Sequence, residues 1–203
     1  MRSLEDAIDF RAGVIRSFSR SNAHLCDESG IGYWPIPVLI AVILAKCLYK
    51  IHEEWLRQIT VGNYETAAML SAVRTRLTAI GAEGDLGEDH AAIYLRDHPG
   101  VREIDISDGP FYLAYTRILS EDDPFKLLGF VYSVEVGSLN AVKELASSRL
   151  IANKSYAALH MIEEVAHGAL AAELKNIVME SEYAERFAAG CDLHDLVYEE
   201  ALS

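Results

Sequence analysis

Apolar side chains recur every three or four residues along most of this chain, which is the spacing of a helix with one buried face. Alternating runs rich in β-branched residues, which are typical of strands, are almost absent. The pattern therefore predicts an all-α protein. A first helix is expected over about 4–24, followed by a loop that contains Gly30 and Gly32.

Prolines and glycines divide the rest of the pattern into helices. Pro35 predicts the start of a long apolar helix, because proline is tolerated in a first helical turn. Asp123 followed by Pro124 predicts another start, with the aspartate as the cap. Gly190 predicts the break between the last two helices. After the first helix, the expected helices cover roughly 35–61, 64–80, 88–96, 111–119, 124–151, 155–189 and 193–201. This is a single bundle of about seven helices.

Length and charge limit the class of protein. The chain has 203 residues without a linker, a repeat or a low-complexity stretch. A chain of this length can bury a full core, so residues 1–203 are expected to form one domain. Its 18 Lys and Arg face 31 Asp and Glu, which gives a net charge of −13 without a basic stripe. Nucleic acids and anionic membranes are bound through Lys and Arg, so neither is an expected partner.

Cysteine usage and hydropathy indicate a cytoplasmic protein. Cys26, Cys47 and Cys191 include no C-x-x-C pair, and an odd count at such spacing indicates reduced thiols. Residues 1–20 carry charges throughout, unlike a signal peptide. The most apolar stretch, residues 38–45, is much shorter than the roughly 20 residues that span a membrane, so it is expected to be a buried core helix.

The sharpest motif is H-x3-E-x2-H, formed by His160, Glu164 and His167. At about 100° per residue, these positions fall within about 60° of one another and form one stripe on a helix. Two imidazoles and a carboxylate suit iron, manganese or zinc. A half-exposed polar face explains an isolated motif of this kind equally well. The flanking residues are apolar nearly all round the helix, which favours a metal site because buried polar groups need partners.

A single acid interrupts the apolar helix expected over 124–151. Glu135 is the only acidic residue between Asp123 and Glu144. A lone buried carboxylate is costly unless it is paired or bound to a metal, and we take the metal as the better explanation. The alternative is a salt bridge to a nearby cation, namely Arg117, Lys126 or Lys143. Gly129 would let another helix or a ligand approach this helix closely.

The third candidate pair lies in an acidic segment. Glu83 and His90 share a face if the segment between them is helical. The segment 81–87 contains three glycines, which leave its helicity open. Taken alone, a solvated acidic turn with an exposed histidine is the better explanation.

Together, these three pieces resemble the haem-oxygenase-like di-metal oxidases, a superfamily that includes relatives of the TenA thiaminases and a chlamydial protein first described as associating with death domains. The resemblance covers essentially the whole chain in helix number and order. It implies a seven-helix bundle that holds two metal ions through Glu83, His90, Glu135, His160, Glu164 and His167. Many relatives carry Asp where this chain has Glu164, and Glu88 or Glu163 could replace a neighbouring ligand.

The resemblance also implies two Fe(II)/Fe(III) ions as cofactors, O2 as co-substrate and a small amino-acid-like substrate. The implied reactions are N-oxygenation, oxidative C–C cleavage or nitrile formation in a biosynthetic pathway, and an external electron donor is compatible with them. A homodimer is the expected assembly, since it is the commonest among soluble proteins.

Two alternative functions stay open: a metal-free helical binding or interaction protein of the same fold, and a TenA-like hydrolase. A ferritin-like di-iron protein is disfavoured, because the segment from Glu164 to His167 is the only Glu-x-x-His motif in the chain.

Other side chains are weaker candidates. Aromatic residues that could line a substrate pocket, although core packing explains each of them more simply, are Phe111, Tyr112, Tyr115 and Tyr132. Arg117 and Lys154 could anchor a substrate carboxylate, but surface positions are the better expectation for both. His52 could join the metal site, with exposure as the better expectation. His194 is expected at the surface, close to a helix end.

Overall fold

The computed structural model describes residues 35–81, 117–147 and 155–202, and every regular element in these ranges is an α-helix. Five long helices, numbered in chain order, are α1 (Pro35–Thr60), α2 (Tyr64–Gly81), α3 (Pro124–Ser147), α4 (Ser155–Met179) and α5 (Ala184–Leu202). Residues 117–120 are also helical. The prediction of an all-α protein is therefore confirmed for this part of the chain. The helices expected over 4–24 and 88–96 lie outside the described residues.

The helix starts follow the predicted signals. α1 begins at Pro35 and α3 begins at Pro124. Asp123 caps α3, because its Oδ1 accepts the backbone N–H groups of Phe125 and Lys126 at 2.9 and 3.3 Å. Between α1 and α2 the chain turns at Gly62, whose φ of 78° is a left-handed conformation that glycine adopts at little cost.

Helices α1 to α4 form a four-helix arrangement in which α3 is central. α1 packs on α2 and α3, and α4 packs on the same two helices. α5 covers another side of α3 and touches α4 only lightly. Residues 127–135 of α3 are therefore buried without interruption. A helix that is enclosed on all sides is expected to be apolar all round, and this segment is apolar apart from a few positions that include Glu135.

The core receives apolar side chains from all five helices. Among its buried members are Ile43, Ile51, Leu70, Leu77, Phe125, Leu128, Leu174, Val178 and Phe187. Each such side chain stabilises the fold by about 1.5–3 kcal/mol relative to an exposed position. Cys47 and Cys191 are buried thiols in the same core, and burial raises the pKa of the Cys47 thiol well above its usual range.

α3 and α5 cross at a short distance. A Cβ atom at Gly129 would overlap the backbone carbonyl oxygen of Phe187, and a Cβ atom at Gly190 would overlap that of Lys126. Cys191 also donates its thiol to the carbonyl oxygen of Gly129 at 3.5 Å. The expectation that Gly129 admits a neighbouring helix is thus confirmed, and the neighbour is α5.

The predicted helix break at Gly190 is wrong. Gly190 lies inside α5, where the missing side chain permits close packing and does not make a turn. The chain turns earlier, over residues 180–183. There the Ser181 hydroxyl donates to the carbonyl oxygen of Val178 at 2.6 Å and accepts the backbone N–H of Tyr183 at 3.2 Å. A serine that bonds its own backbone in this way favours a turn over a continuing helix.

None of the helices in the described ranges combines the length and the hydropathy that crossing a membrane would require.

Candidate metal centre

The structure brings together two of the predicted ligands, Glu135 on α3 and His167 on α4. Both residues are buried: Glu135 is 5% exposed and His167 is 6% exposed. Nδ1 of His167 lies 3.4 Å from Oε2 of Glu135. These residues are 32 positions apart in the sequence. They meet because α3 and α4 pack along each other through the middle of the bundle.

The position of Glu135 follows from the helical register of α3. Gly129 faces α5, and six residues later the helix has turned by about 240°, so Glu135 lies on a different side. That side faces α4, where His167 stands one turn before the buried Ala171. The carboxylate therefore points into the interior of the four-helix arrangement, away from the α5 contact.

The distance between the two side chains fits a shared metal ion. Carboxylate oxygen and imidazole nitrogen atoms bind first-row metals at about 2.0–2.2 Å. Two such atoms on one ion, at angles of about 90–110°, lie roughly 3.0–3.4 Å apart. The observed 3.4 Å is at the upper end of this range. Within the described residues, no cluster of three or more His, Cys, Asp or Glu side chains is present.

The structure does not describe the side chains of the other four predicted ligands. Glu83 and His90 lie outside the described residues, as does Glu88. His160 and Glu164 lie in α4, but the structure describes only their backbone. The same holds for Glu163. Metal ligation by all six residues stays a prediction.

Of the three cations considered as salt-bridge partners of Glu135, the structure describes one with another partner. Lys126 pairs with Glu121, with 3.4 Å between Nζ and Oε2. Arg117 is exposed, as expected of a surface cation. The side chain of Lys143 lies outside the described residues. His167 is a described neighbour of the Glu135 carboxylate.

Of the side chains that could line a substrate pocket or join the metal site, the structure describes Tyr132 and His52. Tyr132 packs in the core against Phe187 of α5, with 5.3 Å between the ring centroids, so core packing explains this residue. His52 is half-buried, and its ring stacks on Trp55 at 5.4 Å. Four further candidates lie outside the described residues: Phe111, Tyr112, Tyr115 and Lys154.

The expectation that His194 lies at the surface is wrong. It is 1% exposed, and its ring packs against Phe130 with 5.3 Å between the centroids. The error follows from the helix break assigned to Gly190, because a continuous α5 places His194 on the buried face shared with Phe187 and Cys191. The apolar spacing of positions 187, 191 and 194 was the available signal.

We expect His194 to make the fold sensitive to mild acid. Burial lowers the pKa of its imidazole from the ordinary value near 6.5, and Asp195, at 3.4 Å, offsets only part of this effect. The unfolded chain therefore binds the proton more readily, so stability is full above pH 6.5 and falls as the pH drops through that value. Between pH 7.5 and 5.5, wild type should lose about 1 kcal/mol more than His194→Gln in urea unfolding. Equal losses in the two proteins would contradict the prediction.

Comparisons of the chain with models of protein families, with curated proteins and with solved structures give no match.

Proposed function

We propose that this protein is a non-haem di-iron oxidase of the haem-oxygenase-like fold. The observation that carries the proposal is the meeting of Glu135 and His167 in the core between α3 and α4. Both residues were expected as ligands from sequence patterns that carry no information on their distance. A buried carboxylate beside a buried imidazole has the composition of a first-row metal site.

We further propose that residues 1–203 form one seven-helix bundle in the cytoplasm. The complete set of metal ligands would then also include Glu83, His90, His160 and Glu164. The substrate is a small amino-acid-like molecule that is oxidised with O2. An external electron donor regenerates the reduced enzyme where the reaction requires one.

The chain's own residues have separate tasks in this function. Glu135 would hold a metal ion through its carboxylate and offset part of the cation's charge in a region of low dielectric. His167 would bind through its neutral imidazole, which a nearby cation favours over the protonated form. The apolar side chains of α3 and α4 exclude bulk water. The electrons that activate O2 would come from iron bound at this site.

A metal-free binding protein is the second candidate. The observation in its favour is that Glu135 and His167 are close enough to stabilise each other as a carboxylate–imidazolium pair without a metal. A TenA-like hydrolase is supported less, because it needs a cysteine nucleophile. Cys47 and Cys191 are buried, and burial raises the pKa of the Cys47 thiol, so neither is suited to nucleophilic attack. Cys26 lies outside the described residues.

Metal content separates these functions. We expect protein purified without oxygen from iron-supplemented cells to contain two iron ions per chain by elemental analysis. We also expect it to consume O2 when one member of an amino-acid panel is added. Protein that takes up no iron after incubation with Fe(II) would rule out the oxidase and leave the metal-free binding protein. Protein that holds zinc and consumes no O2 would rule out the oxidase as well.

A further inference from the structure

Arg74, in the second half of α2, is a half-buried cation without a counter-ion among the described residues. Its Nε atom is closed off from solvent and has no hydrogen-bond partner. Neighbouring arginines differ in this respect, because Arg76 pairs with Glu173 at 2.9 Å and Arg57 pairs with Glu54 at 2.6 Å. Acids outnumber bases in this chain by 31 to 18, so an arginine that none of the described acids neutralises needs an explanation.

An aromatic pair on α1 holds the guanidinium of Arg74 in place. Its Cζ atom lies 4.6 Å from the centroid of the Trp55 ring, where the ring electrons attract a cation. His52 stacks on the same ring, with 5.4 Å between the centroids and 23° between the planes. Nδ1 of His52 is also enclosed without a hydrogen-bond partner. Trp55 in turn packs against the core, so the three side chains form one fixed group, which we call the Arg74 cluster.

The part of the guanidinium that a ligand can reach is the edge formed by Nη1 and Nη2. Nε is the nitrogen of Arg74 that is enclosed. The two Nη atoms of an arginine carry parallel N–H donors, whose spacing matches the two oxygens of a carboxylate or a phosphate. The Arg74 cluster therefore has the donor geometry of an anion site.

Charge and surroundings favour a carboxylate over a phosphate. A guanidinium carries one positive charge, which one carboxylate balances, whereas a phosphate group carries about −1.5 to −2 near pH 7. The net charge of −13 makes surplus negative charge unfavourable. The rings of His52 and Trp55 are only half-buried, so they offer flat apolar surface to the organic part of a ligand.

We propose that the Arg74 cluster binds the carboxylate group of a small organic acid. The carboxylate accepts hydrogen bonds from Nη1 and Nη2 of Arg74, and the organic part lies against the rings of His52 and Trp55. Since the guanidinium already rests on Trp55 and its Nε is already out of water, binding has to order and desolvate little of the protein. The proposal does not depend on the proposed oxidase function.

The fluorescence of Trp55 tests the proposal, with benzoate as the probe. The chain has two tryptophans, so full-length Trp34→Phe protein reports Trp55 alone. Benzoate should change the emission in a saturable way, with half-saturation below about 10 mM, and chloride at equal concentration should not. Inorganic phosphate should bind at least about 10-fold more weakly than benzoate. The absence of a saturable response to benzoate would overturn the proposal, as would tighter binding of phosphate.

Variants of two arginines on α2 locate the site. Arg74→Met keeps an apolar stem without the charge and should weaken benzoate binding at least about 10-fold. Arg74→Lys keeps the charge but lacks the paired donors, so its affinity should lie between the two. Arg76→Met is the matched control, because Arg76 is already bound to Glu173 and to the carbonyl oxygen of Ala72. This variant should bind benzoate like wild type.

Circular dichroism shows whether each variant keeps the helix content of wild type. Wild-type affinity for benzoate in a folded Arg74→Met protein would overturn the proposal. Should Arg74→Met fail to fold, the lysine variant decides in its place, since undiminished binding by Arg74→Lys would rule out the paired contact. Equal losses in Arg74→Met and Arg76→Met would indicate a general effect of charge and would likewise overturn the assigned site.

Discussion

Glu135→Gln is expected to bind iron at least about 100-fold more weakly than wild type. The substitution keeps the volume of the side chain and removes the negative charge next to His167. Replacing a residue that only supports a metal ligand costs about 10–100-fold in affinity, and losing a ligand should cost more. Iron at about 100 times its Kd should stabilise wild type by about 2.7 kcal/mol, and the variant should lose most of this gain. Thermal unfolding with and without Fe(II) measures it.

The matched control for this prediction is Glu173→Gln. Glu173 is an exposed carboxylate on α4 that pairs with Arg76 at 2.9 Å. The same chemical change there should leave iron binding at the wild-type level. Glu135→Gln protein that keeps the full iron-dependent stabilisation would show that Glu135 is not a ligand. Equal losses in both variants would indicate a general effect of charge and would also contradict the assignment.

Gly129→Ala is expected to destabilise the fold by about 3 kcal/mol or more. Its added methyl group would overlap the backbone of Phe187, and a backbone atom cannot move aside by a change of rotamer. Overpacking in a core usually costs about 1–3 kcal/mol. Because the atom opposite the new methyl group belongs to a helix backbone, we expect a cost at or above the upper end of this range. Denaturant unfolding, followed by circular dichroism, measures the difference.

Two further alanine variants sharpen this test. Gly190→Ala acts at the same crossing, so the double variant should cost less than the sum of the single ones, because the first methyl group already separates the helices. Gly168→Ala is the control. Gly168 lies in α4, where no atom of a described neighbour is close to an added Cβ, so alanine there should stabilise the helix by about 0.5–1 kcal/mol. A neutral Gly129→Ala would contradict the close crossing.

The helices of the described ranges were largely predictable because their starts have local causes. The ring of Pro35 and the cap formed by Asp123 act within one turn, and the apolar period then shows how far each helix continues. The turn over residues 180–183 was missed for a physical reason. It depends on the hydroxyl of Ser181, and serine is also common on helix surfaces, whereas Gly190 looked like the stronger signal.

The candidate site was only partly predictable. Glu135 was identifiable because a lone acid in an apolar helix needs a compensating group, and His167 because it belongs to a spaced motif. That these two side chains are 3.4 Å apart depends on how α3 packs on α4, which no local pattern determines. The burial of His194 was missed for the same reason, since the packing of α5 on α3 decides it.

The glycine crossing between α3 and α5 fixes more than the separation of two helices. Gly129 and Glu135 belong to the same helix and lie about 9 Å apart along its axis. The crossing at Gly129 therefore also sets the direction in which the Glu135 carboxylate points. A twist of α3 by only 20° would swing the end of that side chain, at a radius of about 6 Å, by about 2 Å. Such a displacement is as long as a metal–ligand bond. Small residues far from the chemistry would thus tune how Glu135 meets His167.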